Sequence, residues 1–176
     1  MKILPFTVPI FILKFDQHEY YKNECLRLIE EQHSTTSKFG NQYNGESITK
    51  TDWYVGPEVK RQYFDLIVSD VISHLRNIFK LLDIEKFKIS NVWFQQYHQN
   101  DFHCFHTHER TSWNCVYYLE FEKNNPGTTF KSFFGGAEFT PEISEGEILM
   151  FPSCLRHTSL PNKSSSRKTV VAFNIE

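Results

Sequence analysis

The sequence predicts an α+β fold in which helices of the first half pack on one sheet of a β-sandwich or jelly roll. Three observations predict it. Apolar residues in the first half recur at intervals of three and four, the period of a helix face. After Asp83 short β-type runs alternate with turn residues. The chain also carries 17 Phe, 8 Tyr and 3 Trp, residues that fill β-rich cores and line pockets.

The elements follow in order. Phe6 to Leu13 is an apolar run behind Lys2, broken by Pro5 and Pro9 and followed by no small-residue cleavage site, so it reads as an opening edge strand. A helix is expected from about Gln17 to Gln32. The polar stretch from His33 to Asp52, rich in Ser, Thr, Asn and Gly, reads as a long loop. A second helix is expected to begin near Pro57, a residue suited to a first turn. Its buried stripe is Phe64, Ile67, Val68, Val71, Leu75, Ile78 and Phe79. The β-type runs are roughly Phe87–Tyr97, Phe102–His108, Asn114–Glu122, Thr128–Phe134, Glu147–Phe151, Leu155–Leu160 and Thr169–Ile175. Asn125-Pro126-Gly127, Gly135-Gly136 and Pro161-Asn162 punctuate them. Helices before strands make the helices one layer on the sheet.

The 176 residues suit a single domain, 1–176. Residues 1–85 supply the first strand and the supporting helices, and 86–176 the β core. The net charge of −2 disfavours a nucleic-acid or membrane surface, and no apolar run approaches the ~20 residues of a membrane span. Cys25, Cys104, Cys115 and Cys154 match no zinc or redox spacing and read as reduced. A cytoplasmic protein is expected, with a homodimer left open.

Four of the eight histidines lie between His98 and His108. His106 and His108 are two apart in a strand-like run, so their imidazoles share one face. Imidazole suits iron, zinc, copper and nickel, but a pair makes a weak chelate. His157, after the strand Ile148–Phe151 and a turn, is the best third ligand. Strand parity sets His103 on the opposite face unless a bulge intervenes. The same parity argues against Asp101 and Glu109 as ligands, which favours three neutral histidines. A histidine in a strand is more often structural, so the pair alone decides nothing. His18, His33, His74 and His98 stay in that ordinary class.

From Asn91 to Ile175 several motifs stand in sequence. They are Tyr97-x-x-Asn100-x-x-His103-x-x-His106-x-His108, then Asn114-Cys115-Val116-Tyr117-Tyr118-Leu119, then Gly146-Glu147-Ile148-Leu149-Met150-Phe151-Pro152, then His157, and Arg167 ten residues later. In this order they resemble the 2-oxoglutarate/Fe(II) dioxygenases, in particular the prolyl-hydroxylase-like branch and its small members with an H-x-H motif. The resemblance implies a double-stranded β-helix (jelly roll) core. It implies Fe(II) on His106, His108 and His157, and 2-oxoglutarate anchored by Arg167 with help from the Tyr117 hydroxyl. Tyr97 matches a residue lining the cosubstrate pocket.

Arginine suits this task because its fork gives a carboxylate two parallel charge-assisted bonds. Gln95 and Trp93 share a strand face with Tyr97 and either line the same pocket, Gln95 at the cosubstrate and Trp93 at the substrate, or fill the core. Ser112 and Trp113 stand in a loop expected to face substrate. The departure from the family pattern is His108, where most members have Asp. Three histidines also make a good zinc site, so zinc is a substitute metal. The expected reaction is oxidative decarboxylation of 2-oxoglutarate coupled to C–H hydroxylation of a small molecule or peptide. The alternatives are a three-histidine dioxygenase without 2-oxoglutarate and a non-catalytic metal-binding jelly roll.

Overall fold

Among the described residues, eleven strands joined by antiparallel pairing form one sheet that curls into a half-barrel with its helices on the outside. The structure is a computed structural model and describes residues 7–41, 44–56, 58–132 and 136–176. Pro5, Phe6, Pro57, Phe134 and Gly135, to which the sequence assigns strand, helix-start or turn positions, lie outside the described residues.

β1 (Phe11–Lys14) pairs with β9 (Glu147–Pro152) at one edge, and β9 continues through β6 (Trp113–Glu120) and β11 (Lys168–Ile175) to β4 (Ile89–Tyr97). From β4 the pairing passes to β3 (Glu46–Thr51) and then to β5 (Phe102–His106), β10 (His157–Ser159), β7 (Thr128–Lys131) and β8 (Glu138–Phe139). β3 is therefore the hinge between the two walls of the half-barrel.

Alternation on β11 and β6 creates two cores. Val171, Phe173 and Ile175 with Cys115, Tyr117 and Leu119 face outward onto α1 (His18–Glu31), α2 (Gln62–Asp65) and α3 (Val68–Leu81). Val170, Tyr118, Leu149 and Phe151 face inward with Tyr97, Phe130 and Ile48. On α3 the buried residues Val71, Leu75, Ile78 and Phe79 recur at the spacing of one helical face. The predicted stripe is thus present, but its first members, Phe64 and Ile67, belong to the short α2 and the turn after it.

The largest departure from expectation is the stretch from His33 to Asp52. It is a hairpin, not a long loop: β2 (Thr35–Phe39) pairs antiparallel with β3. Its buried positions are largely polar, Ser37, Glu46 and Thr51, so no hydrophobic alternation announces it. β8 is likewise additional to the expected strands. Among the described residues, no helix is long and apolar enough to cross a membrane.

Candidate metal and cosubstrate site

The inward face of the half-barrel encloses a cavity of about 390 Å³. β5 and β10 bring the histidines to it. His106 and His157 are direct cross-strand partners, and His108 follows two residues beyond the end of β5. One ring nitrogen from each of the three lies within 4.8 Å of the others. The Nδ1 atoms of His106 and His157 face the carbonyls of Cys104 and Leu155 at 2.8 and 2.9 Å. A carbonyl only accepts, so both Nδ1 atoms carry the proton and both Nε2 lone pairs are free for a metal. Trp93 stacks along His108, with ring centroids 5.6 Å apart and planes 23° apart.

Burial holds these imidazoles neutral. It pushes His106 and His157 below the usual histidine range and His108 down to about 4, with His106 adding repulsion at His108 and His157. Neutral, oriented and converging imidazoles are the form a metal requires. Asp101 and Glu109 stay out of the cluster, as strand parity predicts. Asp101 is turned toward Ser47, Thr49 and the His98 amide.

His103 is a correction. The pairing of β10 with β5 shifts register between His157↔His106 and Ser159↔His103, two residues on one strand facing three on the other. That bulge turns His103 into the cavity. Its ring stacks on His106 with centroids 3.9 Å apart, and its Nε2 lies 3.1 Å from Glu46 Oε2. Glu46 also accepts hydrogen bonds from Tyr54 and Ser37.

Arg167 is a second correction. Its side chain leaves the sheet on the outer side, where Nε meets Glu120 at 2.7 Å and Nη1 meets Glu30 of α1 at 2.6 Å. Among the described residues, the cation that lines the cavity is Lys168. Its Nζ donates to the Pro126 carbonyl at 3.0 Å and to Ser159 Oγ at 2.5 Å, and lies 4.4 Å from the centre of the Tyr97 ring. An ammonium has three protons, so one donor remains for a ligand. Burial lowers this lysine to about 7. A neighbouring carboxylate would restore its charge.

Tyr117 points outward as well, toward α1, where its hydroxyl meets His18 Nδ1 at 2.7 Å. Tyr118 takes the inward position and is hydrogen-bonded to Thr128. Trp113 packs against Phe11 and Phe79 in the outer core instead of facing the cavity. Gln95, Tyr97 and Trp93 do line the cavity, and the Tyr97 hydroxyl donates to Gln95 Oε1 at 2.8 Å. Trp53, 45% exposed, stands at the rim and meets Trp93 edge-on at 4.5 Å. Strand alternation would have identified the outward residues: Arg167 shares parity with Val171 and Phe173, and Tyr117 with Cys115 and Leu119.

No family model and no curated protein matches the chain. Solved structures do. A prolyl-4-hydroxylase from Pseudomonas putida is similar over 96% of this chain and 92% of its own, with a TM-score of 0.60 and 17% identity. The viral collagen prolyl hydroxylase of Paramecium Bursaria Chlorella virus-1, solved as its 2OG complex, gives 94% and 94% coverage, a TM-score of 0.61 and 13% identity. A prolyl hydroxylase from Trichoplax adhaerens, in complex with a hypoxia inducible factor peptide fragment, gives 96% and 84%, 0.68 and 14%. The chain therefore has the jelly-roll fold found in prolyl hydroxylases and other 2OG-Fe(II) oxygenases of known structure.

Proposed function

We propose that this protein is a 2-oxoglutarate- and Fe(II)-dependent dioxygenase that hydroxylates a C–H bond of a small molecule or peptide. One observation carries the reading: three converging neutral imidazoles and a buried lysine with a spare donor line the same cavity. His106, His108 and His157 hold the iron. Lys168, in place of Arg167, binds the far carboxylate of 2-oxoglutarate. Tyr97 fixes Gln95 through its Oε1, which leaves the Gln95 amide nitrogen as a donor toward the cosubstrate. Bound together, ferrous iron and 2-oxoglutarate supply oxidative decarboxylation coupled to hydroxylation. The protein's part is to orient them and exclude water, and Phe151, Val170 and Ala172 give the cavity apolar walls for that.

Each carboxylate of the dianionic cosubstrate would meet a cation, the keto-acid end the iron and the far end the Lys168 ammonium. The test is anaerobic purification, loading with Fe(II), and measurement of succinate released from 2-oxoglutarate under oxygen. Succinate release that needs both additions is expected. Tightly held zinc that iron cannot replace, with no succinate, would instead mark a metal-binding module. Oxygen consumption without succinate would mark a three-histidine dioxygenase that does not use 2-oxoglutarate.

A further inference from the structure

A row of asparagines crosses the cavity wall beyond the metal cluster. Asn174 on β11 is the direct partner of Asn91 on β4 and of Asn114 on β6, and all three line the cavity. Asn114 and Asn174 are each only 2% exposed. Asn114 Oδ1 accepts from Ser153 Oγ at 3.2 Å, but Asn114 Nδ2 has no partner, and neither does Asn174 Oδ1. A buried polar atom without a hydrogen bond is destabilising. Two of them on opposed residues of adjacent strands, a donor on one and an acceptor on the other, mark a place built for something else to complete.

The surroundings give that place its shape. The next inward residue on β11 is Ala172, whose small side chain leaves room beside Asn174. Ala172 pairs with Trp93, which stacks along His108. Two residues along a strand span about 7 Å, so a ligand held by the asparagines reaches toward the metal cluster. Directly opposed residues stand about 5 Å apart, which suits a donor and an acceptor addressing one edge of a single group. In a trans peptide the N–H and C=O point to opposite sides, so one such edge cannot meet both. In a lactam or a primary carboxamide they lie on the same side.

We propose that this row is a substrate subsite for a cis-amide edge, the lactam of a planar ring or a primary carboxamide, with Asn114 donating to its carbonyl and Asn174 accepting from its N–H. This rests on the oxygenase reading of the cavity for its role in turnover, though not for binding. The test is calorimetric titration of the metal-free protein, and of the anaerobic protein loaded with Fe(II) and 2-oxoglutarate, with three probes. Uracil presents a lactam, nicotinamide a carboxamide, and N-methylacetamide a trans amide.

Binding of uracil or nicotinamide without binding of N-methylacetamide is expected, and which of the two binds separates ring lactam from carboxamide. Asn174→Leu should weaken that binding at least about tenfold, equivalent to 1.4 kcal/mol, while leaving the melting temperature unchanged or higher, because it removes an acceptor that has no partner. Asn114→Asp keeps the oxygen that Ser153 uses and should weaken binding similarly. Equal binding of the trans amide, or no binding of either cis amide, overturns the proposal. So does an Asn174→Leu protein that melts lower yet binds as before. Asparagine-dependent binding with no succinate would overturn the oxygenase reading alone. Succinate release with no cis-amide binding would overturn the subsite alone.

Discussion

Arg167 and Lys168 are consecutive, yet their charges lie on opposite faces of the sheet: one guanidinium bridges Glu120 and Glu30 outside, and one ammonium lies over the Tyr97 ring inside. The two substitutions should therefore separate cleanly. A hydrogen bond to a charged group contributes about 1.5–3 kcal/mol, so Lys168→Met should raise the KM for 2-oxoglutarate about 10–100-fold. Arg167→Ala should leave that KM within about twofold. Its ion pairs are partly exposed, so screening limits their loss to about 1 kcal/mol of stability. Steady-state kinetics at varied 2-oxoglutarate and denaturant melts check both. The reverse pattern would return the anchor to Arg167.

The lowered Lys168 also sets a pH dependence. Burial brings the folded group down to about 7, so the unliganded protein loses the ammonium as pH rises past that point. A carboxylate prefers the charged form, and its binding must then include uptake of a proton. Affinity for 2-oxoglutarate should fall as pH rises above about 7, and Lys168→Arg should flatten the profile because arginine stays charged. The stability sign is also defined. The unfolded lysine holds its proton to about 10.4, so between the two values the unfolded state binds more protons and stability rises with pH. KM profiles and chemical melts from pH 6 to 9 check these, and a pH-independent KM would count against Lys168 as the anchor.

What the sequence made legible follows from where simple periodicity holds. The shared side of His106 and His108 and the inward placement of Gln95, Tyr97 and Trp93 come from period two, which β4 obeys along the stretch that carries them, while His157 is marked by its place after the strand Ile148–Phe151 and a turn. His103 was not legible because the bulge opposite β10 inverts its side. The hairpin β2–β3 was hidden because Ser37, Glu46 and Thr51 bury polar groups paired with one another or with backbone. Lys168 is hidden for a different reason: arginine is chemically the better carboxylate clamp, so only the alternation of β11, which assigns Arg167 to the same side as Val171 and Phe173, points to Lys168.

The ligand set makes its own prediction. His103 stacks on His106, but it spends its Nε2 on Glu46. Metal content measured by mass spectrometry should fall at least about tenfold for His106→Ala, His108→Ala or His157→Ala. His103→Ala should retain metal. His108→Asp replaces a neutral ligand with an anionic one and should hold bare Fe(II) more tightly than the natural site. Loss of metal from His103→Ala together with retention in His108→Ala would redraw the site around His103.

Asp101 tests whether the buried carboxylate just before the metal strand is architectural. It is 3% exposed. One oxygen accepts from Ser47 Oγ at 2.7 Å, and the other from the Thr49 amide at 3.0 Å, Thr49 Oγ1 at 2.5 Å and the His98 amide at 2.9 Å. These bonds tie β3, the hinge between the walls, to the turn that leads into β5 and its histidines. Asp101→Ala leaves the part-buried amide donors of Thr49 and His98 without their acceptor. A loss of about 1–3 kcal/mol is expected, read as an earlier urea midpoint with unchanged slope. Asp101→Asn keeps one acceptor oxygen and should lose less. The substitution acts on the support of the site, so protein that remains folded below the transition should still bind metal. A folded Asp101→Ala protein without metal would show instead that the carboxylate belongs to the ligand set.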